Sequence, residues 1–317
     1  MSRAPRTLVA GVGATATGKS DLGEALARAL GGEVVCADAR QVFGELETGT
    51  GKPARAERAA LPHHLFDALA LEERPSAGWY ARAAAAACDE VFARGSVPVL
   101  VGGSGLYLSA LLEGLHPEPP HDAAVRARLR AELEAAGPEA LHARLARVDP
   151  ATAARLAPRD RQRVTRALEV YESSGRPLSE WHARAGRAGF AVDARVLELT
   201  CAPADLAARI ERRTRAMFGG GLVEETRELR DSGREPALAA LRAIGYDEAL
   251  GLLRGGLTRA AAIETTNRRT RQLAKRQRTW FRHQVAAARL PAREGWEGAA
   301  VGEALAVLRL TPRGGVP

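Results

Sequence analysis

Lysine is nearly absent from this chain of 317 residues: Lys19, Lys52 and Lys275 are the three among 46 basic side chains. Cysteine is equally scarce. Cys36, Cys88 and Cys201 lie far apart and form no C-x2-C pair, which excludes a disulfide framework and a cysteine zinc site and leaves them as small core residues. No stretch approaches the roughly 18 uninterrupted apolar residues of a membrane span, so no membrane association is expected. The first residues lead into a strand without the apolar stretch of a signal peptide, and the expected compartment is the cytoplasm. The adjacent pair His63-His64 points to opposite sides of an extended segment and is a poor metal site, better suited to packing or substrate positioning.

Where the first lysine stands is informative. Gly13-Ala14-Thr15-Ala16-Thr17-Gly18-Lys19-Ser20 is a complete G-x4-G-K-[ST] loop, and an arginine-rich chain has kept a compact ammonium where a flexible point charge must reach into a phosphate cradle. The surroundings agree. Residues 7–12 are a short apolar run fit for a buried parallel strand, and Leu22, Ala25, Leu26, Ala29 and Leu30 mark one helix face closed by Gly31-Gly32. Strand, loop and helix follow in the order that presents backbone N–H groups and a helix N-terminus to a di- or triphosphate, with Lys19 neutralising it and the Ser20 hydroxyl on Mg²⁺.

Further apolar runs at residues 33–38, 97–103 and 195–200, with a helical segment at 77–94 stopped by Gly95, give the alternation of a doubly wound parallel sheet. Ligands of such sheets sit at the carboxyl ends of strands, so Asp38 and Ser104 are expected in the same crevice as Lys19. The alternation breaks at His116-Pro117-Glu118-Pro119-Pro120. Helical segments follow at 122–136, stopped by Gly137-Pro138, after it, and at 160–174, stopped by Gly175. The expected organisation is a first core part at 1–117, an all-helical insertion at 118–192 and a second core part at 193–317, with the end after Thr311 frayed.

The net charge of +8 is localised. Residues 241–290 carry eleven Arg and Lys against Asp247, Glu248 and Glu264, a surplus that equals that of the whole chain. Within an expected helix from about 258 to 288, Arg268, Arg271, Lys275, Arg278 and Arg282 recur at spacings of three and four. They form one face roughly 21 Å long. An ordered cationic stripe fits a polyanion larger than a nucleotide better than it fits an ordinary solvated helix.

Asp38, at the end of an apolar strand, suits either a carboxylate supporting Mg²⁺ or a general base beside the phosphates. Arg40 and Gln41 next to it are side chains able to read a base edge.

Together, the phosphate loop, Asp38-Ala39-Arg40-Gln41-Val42-Phe43, Gly49-Thr50-Gly51-Lys52-Pro53, Pro62-His63-His64-Leu65, Val101-Gly102-Gly103-Ser104-Gly105-Leu106-Tyr107, Ala243-Ile244-Gly245-Tyr246 and Thr270-Arg271-Gln272-Leu273-Ala274-Lys275-Arg276-Gln277 resemble, in order, the motifs of the bacterial tRNA dimethylallyltransferase family. The likeness spans nearly the whole chain, and all three lysines fall inside it. It implies a P-loop NTPase-like α/β fold. The implied reaction is transfer of a dimethylallyl group from dimethylallyl diphosphate to the exocyclic amine of adenosine 37 in a tRNA anticodon stem-loop, by a monomer. In the family the loop serves a diphosphate leaving group with Mg²⁺. By position, Asp38 matches the base on the adenine amine, residues 15–20 the diphosphate and Mg²⁺ site, Ser104 a channel-lining hydroxyl and Arg213 an arginine on the diphosphate. Asp38, Ala39, Arg40 and Gln41 match tRNA-contacting positions, as do Arg126, Gln162-Arg163-Val164-Thr165-Arg166 and Arg242-Ala243-Ile244-Gly245-Tyr246-Asp247, and Arg271, Lys275 and Arg278 of the stripe join them. The family usually carries Pro where Ala14 stands, Ser for Ala39, Tyr for Phe43 and Ala for Gly51.

Two other enzymes fit part of the pattern. A small-molecule P-loop kinase would use the loop and Arg213 but leaves the basic helix without a purpose. An adenylate isopentenyltransferase would modify a free nucleotide and needs neither stripe nor insertion.

Overall fold

The structure, a computed structural model, describes residues 6–115, 122–184 and 189–312. The sequence break at 116–120, and with it the 117/118 boundary, lies outside those residues. The chain divides into two compact units, one of Met1–Leu112 with Phe190–Pro317 and the other Glu113–Gly189.

The first unit is built on six parallel strands: β1 (Thr7–Gly13), β2 (Gly32–Cys36), β3 (His63–His64), β4 (Val97–Gly102), β5 (Asp193–Thr200) and β6 (Ala288–Pro291), in the order β3-β2-β4-β1-β5-β6. The central strands are apolar on both sides because both faces are covered. Val9, Val34, Val99 and Val101 pack against Leu22 and Leu26 of the helix Lys19–Leu30. Leu8, Ala10, Val12, Val35 and Leu100 pack on the other face against Tyr80 and Ala84 of the helix Ala77–Ala93 and against Tyr107. After β1 the chain passes over β4 to β2, and after β4 it returns across β1 to β5. Neighbouring β1 and β4 therefore send their connections in opposite directions, and a crevice opens at their carboxyl ends.

Two elements depart from the sequence expectation. The basic helix spans Arg259–Gln284, capped by the Thr258 hydroxyl, and residues 288–291 form β6 on the edge of β5 instead of continuing it. The pairing of Leu197 with Ala288 through Thr200 with Pro291 is a tertiary reward invisible to local propensity. His63 and His64 form the edge strand β3. His64 Nε2 lies 2.6 Å from Glu33 and His63 Nδ1 lies 2.7 Å from the Leu61 carbonyl, so both have packing partners.

Among its described residues the second unit is all helical. Three of its helices start on Asp122, Asp149 and Asp160, whose carboxylates accept from backbone N–H groups in the first turn. Gly137, at φ 80°, breaks the span Ala123–Val148 into two helices. Leu129, Leu141, Leu145, Val164 and Leu168 are its core.

Candidate active site

β1 ends in Gly13, where a Cβ would sit 2.8 Å from the Leu199 carbonyl of β5. The glycine thus lets the chain turn tightly into the phosphate loop. Ala16 holds a left-handed φ of 65°, a conformation a non-glycine residue adopts at some cost, and Gly18 at φ 81° starts the helix Lys19–Leu30. The loop therefore wraps a helix N-terminus and brings Thr15, Lys19 and Ser20 onto a cavity of about 690 Å³.

Lys19 is buried with Nζ 3.4 Å from the Ala14 carbonyl. Burial pushes its ammonium down to about 8, although the carboxylate of Asp38 works against that shift; Arg213 adds to it. Arg213, from the helix Pro203–Gly219, is lowered by burial too, with Asp38 opposing. It donates to Thr15 Oγ1 at 3.3 Å and to the Thr50 carbonyl at 2.8 Å. Among the described residues, these two cations face the crevice without a direct carboxylate partner, held by the field of Asp38 and by backbone dipoles. That arrangement awaits an anion.

Asp38 follows β2. Its Oδ1 accepts from the Arg40 N–H at 2.8 Å, and the Ala39 N–H donates to Ser104 Oγ at 3.0 Å. The turn after β2 lies hard against β4: a Cβ on Gly102 would come within 1.9 Å of the Ala37 carbonyl. Asp38 and Ser104 are therefore fixed on the same cavity as Lys19, Ser20 and Arg213. Arg40, lowered by burial, donates to the Leu241 carbonyl at 2.8 Å. Gln41 donates to the carbonyls of Thr50 and Gly51 at 3.2 and 3.0 Å. Both side chains expected to read a base are engaged with backbone, although both line the cavity.

The same cavity is lined by Arg242, Ala243, Ile244 and Tyr246. The Tyr246 hydroxyl donates to Glu225 and accepts from the Gly49 N–H at 3.1 Å. Asp247 pairs with Arg269 at 2.8 Å, and Gly245 takes a φ of 94°. In the helical unit, Arg126 and Arg166 are drawn to buried Glu169 at 3.0 and 3.1 Å, and Val164 belongs to the core. Gln162 and Arg163 are exposed, while Thr165 is half-buried.

Two opposed faces of the basic helix line cavities. Arg269, Leu273, Arg276, Gln277 and Trp280 line the central cavity, whereas Arg271, Lys275, Arg278 and Arg282 line a groove along the helix Pro203–Gly219. Leu273 lines the cavity, and Trp280 both lines it and packs against the cluster of Tyr80 and Tyr107. Phe281 and Ala274 are buried and pack the helix down beside it. Among the described residues, Arg268, Arg271, Lys275, Arg276, Arg278 and Arg282 have no ion-pair partner, in a chain whose other arginines are widely paired with carboxylates. The sequence pattern assigns Arg276 and Gln277 no individual role, although their helical spacing from Trp280 could have placed them on its face. Lys52 is buried and structural. It binds Asp67 and donates to the Phe43 carbonyl at 2.8 Å.

Among the described residues no group of three or more His, Cys, Asp or Glu could hold a metal, and no helix is long and apolar enough to cross a membrane.

A family profile described as IPP transferase matches residues 41–284, and one described as isopentenyl transferase matches residues 7–72. The chain is 44% identical over 270 residues to a tRNA dimethylallyltransferase of Geobacter sulfurreducens, covering 85% of this chain and 87% of that one. It resembles the crystal structure of a full-length tRNA isopentenylpyrophosphate transferase from Bacillus halodurans, with a TM-score of 0.69, 33% identity and coverage of 96% and 97%. It also resembles a eukaryotic dimethylallyltransferase captured acting on tRNA, with a TM-score of 0.79, 27% identity and coverage of 95% and 78%. On the length and strength of these matches, and on a cavity that joins the phosphate loop to Asp38, the chain belongs to the IPP transferase family.

Proposed function

We propose that this protein transfers a dimethylallyl group from dimethylallyl diphosphate to the N6 amine of adenosine 37 in tRNA. The observation that carries this reading is the sharing of one cavity by Asp38, Lys19, Ser20 and Arg213. An aryl amine is a weak nucleophile, so rate must come from aligning it with the allylic carbon and stabilising the departing diphosphate. As the new C–N bond forms, the allylic C–O bond breaks. The electron pair leaves with the diphosphate, and the amine proton passes to Asp38. Lys19, Arg213 and the loop amides take up the diphosphate charge.

The donor set fits Mg²⁺ carried with the diphosphate. Ser20 Oγ has no hydrogen-bond partner among the described residues, and this ion commonly takes one or two protein oxygens and fills its shell from phosphate and water. When bound, it would neutralise charge building on the leaving group. The unpaired cations of the basic helix, with Gln162 and Arg163 of the helical unit, would hold the RNA, and a cytoplasmic monomer would suffice.

The test incubates the protein with Mg²⁺, unmodified tRNA and either allyl-labelled dimethylallyl diphosphate or γ-labelled ATP. Allyl label in the RNA is the expected result. Label from ATP in a small molecule would identify a kinase, and equal prenylation of free AMP and an anticodon stem-loop would identify an adenylate isopentenyltransferase. A stem-loop with guanosine at position 37 should bind with modest loss but accept no prenyl group, since phosphate contacts position and base contacts discriminate.

A further inference from the structure

The hydrogen bonds around the cavity close into a ring. Gln41 donates to the Thr50 carbonyl, which also accepts from Arg213; Arg213 donates to Thr15 Oγ1; and the Thr15 N–H donates to Gln277 Oε1 at 2.9 Å. Gln277 Nε2 then donates to the Gly103 carbonyl at 3.0 Å, and Ser104, next in the chain, accepts from the Ala39 N–H. From Ala39 the backbone returns to Gln41. Gln277 joins the phosphate loop to the turn after β4 through side-chain bonds, using its acceptor on one and its donor on the other.

The approach is close. A Cβ on Gly103 would sit 2.3 Å from Gln277 Nε2, and one on Gly105 would sit 2.1 Å from the Trp280 ring. The two glycines let the basic helix settle on this turn, and Gln277 and Trp280 are the side chains that occupy the space. The Thr15 N–H, the amide of the loop's third residue, is consequently engaged by protein.

We propose that Gln277 is a positioning residue: it locks the start of the phosphate loop to the turn bearing Ser104, so that the diphosphate cradle and the Asp38 side of the cavity keep a fixed separation. The proposal rests on the reading of the cavity as a diphosphate-donor site only in its kinetic consequence. The lock itself is a property of the free protein.

Two measurements on the full chain separate these. Hydrogen exchange of the peptide containing Thr15 reports the lock, and calorimetric titration with inorganic diphosphate and Mg²⁺ reports the cradle. Gln277→Ala removes both bonds. It should speed Thr15 exchange and weaken diphosphate about tenfold, the scale of removing one hydrogen bond from a preorganised loop. It should also raise the donor KM more than it lowers kcat, with stem-loop affinity unchanged. Gln277→Glu keeps an acceptor for the Thr15 N–H but loses the donor to Gly103 and adds negative charge near the phosphates. It should restore Thr15 protection while binding diphosphate more weakly than the alanine variant.

That reversal of order between the two readouts is not expected of a residue that merely packs. Gln277→Asn, one methylene short on both sides, serves if the alanine variant melts early, and should behave like it in exchange. Unchanged Thr15 exchange in both the alanine and asparagine variants would overturn the proposal. Failure of the wild-type protein to bind diphosphate would overturn the donor-site reading instead, and the exchange result would still decide the lock.

Discussion

Asp38 is the carboxylate shared by three cations of the cavity, since its charge opposes the burial-induced lowering of Lys19, Arg40 and Arg213 together. Asp38→Ala should lower the single-turnover transfer rate by roughly 10²–10⁴-fold, the range for a positioned general base, with stem-loop affinity nearly constant. A near wild-type rate would remove the assignment. Lys19 carries a pH signature. In the free protein its ammonium titrates near 8 against an ordinary 10.5, while a bound diphosphate favours the charged form, so binding near or above pH 8 takes up a proton. Diphosphate affinity should be flat in the Lys19 charge below that pH and then fall by up to about tenfold per pH unit, the limit for one linked proton. Calorimetry in buffers of differing ionisation enthalpy checks the uptake, and Lys19→Arg should abolish it. For folding, the unfolded chain holds the Lys19 proton up to 10.5 and the folded chain only to about 8. Burying this lysine therefore costs stability below pH 8, and the cost is progressively relieved between those two values. Gly102 tests the geometry that brings Asp38 to the site: Gly102→Ala drives a methyl onto the Ala37 carbonyl, 1.9 Å away. Thermal and urea unfolding should show a loss of about 1–3 kcal/mol or more, because the obstacle is backbone.

The basic helix is the element whose sequence could be read in outline but not in orientation. The three-and-four spacing of its cations correctly put Arg271, Lys275, Arg278 and Arg282 together, yet spacing alone says nothing of which neighbours a face meets. In the fold that face runs along the helix Pro203–Gly219, and the cavity takes the side bearing Leu273, Arg276 and Trp280. Similar physics explains the other shortfalls. The phosphate loop, β1, β2, β4 and β5 were legible because their apolar runs and glycine stops are local signals. β6 owes its form to pairing with β5, and the backbone bonds of Arg40 and Gln41 reach Leu241 and Thr50, separations that no pattern of neighbouring residues encodes. Arg271→Ala with Arg278→Ala should flatten the slope of log K for the stem-loop against log salt by about 0.7–0.9 for each phosphate no longer neutralised, without changing base preference. An unchanged slope would mean that Arg271 and Arg278 meet no phosphate, leaving the electrostatic binding to the remaining cations.

At the scale of the whole molecule, the proposed chemistry and part of the proposed RNA contact reside in different compact units. Each residue lining the cavity belongs to the unit of Met1–Leu112 and Phe190–Pro317. Glu113–Gly189 has its own core around Leu129, Leu145 and Leu168. The chain leaves and re-enters the sheet-bearing unit at one place, where the Phe190 N–H donates to the Leu111 carbonyl at 2.8 Å. Ends so close can be bridged by a few flexible residues at little entropic cost, since closing a short loop spares the larger cost of a long one. Replacing residues 113–189 with a short Gly/Ser linker should therefore leave a core that melts cooperatively and binds Mg²⁺-diphosphate within about threefold of the full chain, a change below 1 kcal/mol. Transfer to the stem-loop should fall by far more, roughly 10²-fold or beyond, because a reactive base misplaced by about 1 Å forfeits that much rate. Differential scanning calorimetry, diphosphate titration and single-turnover transfer on the same preparation check the three parts. Retained transfer by the shortened chain would show that the sheet-bearing unit orients adenosine 37 alone, and would remove Arg126 and residues 162–166 from the proposed RNA contact. Loss of diphosphate binding in a core that still melts cooperatively would show instead that the helical unit shapes the cradle.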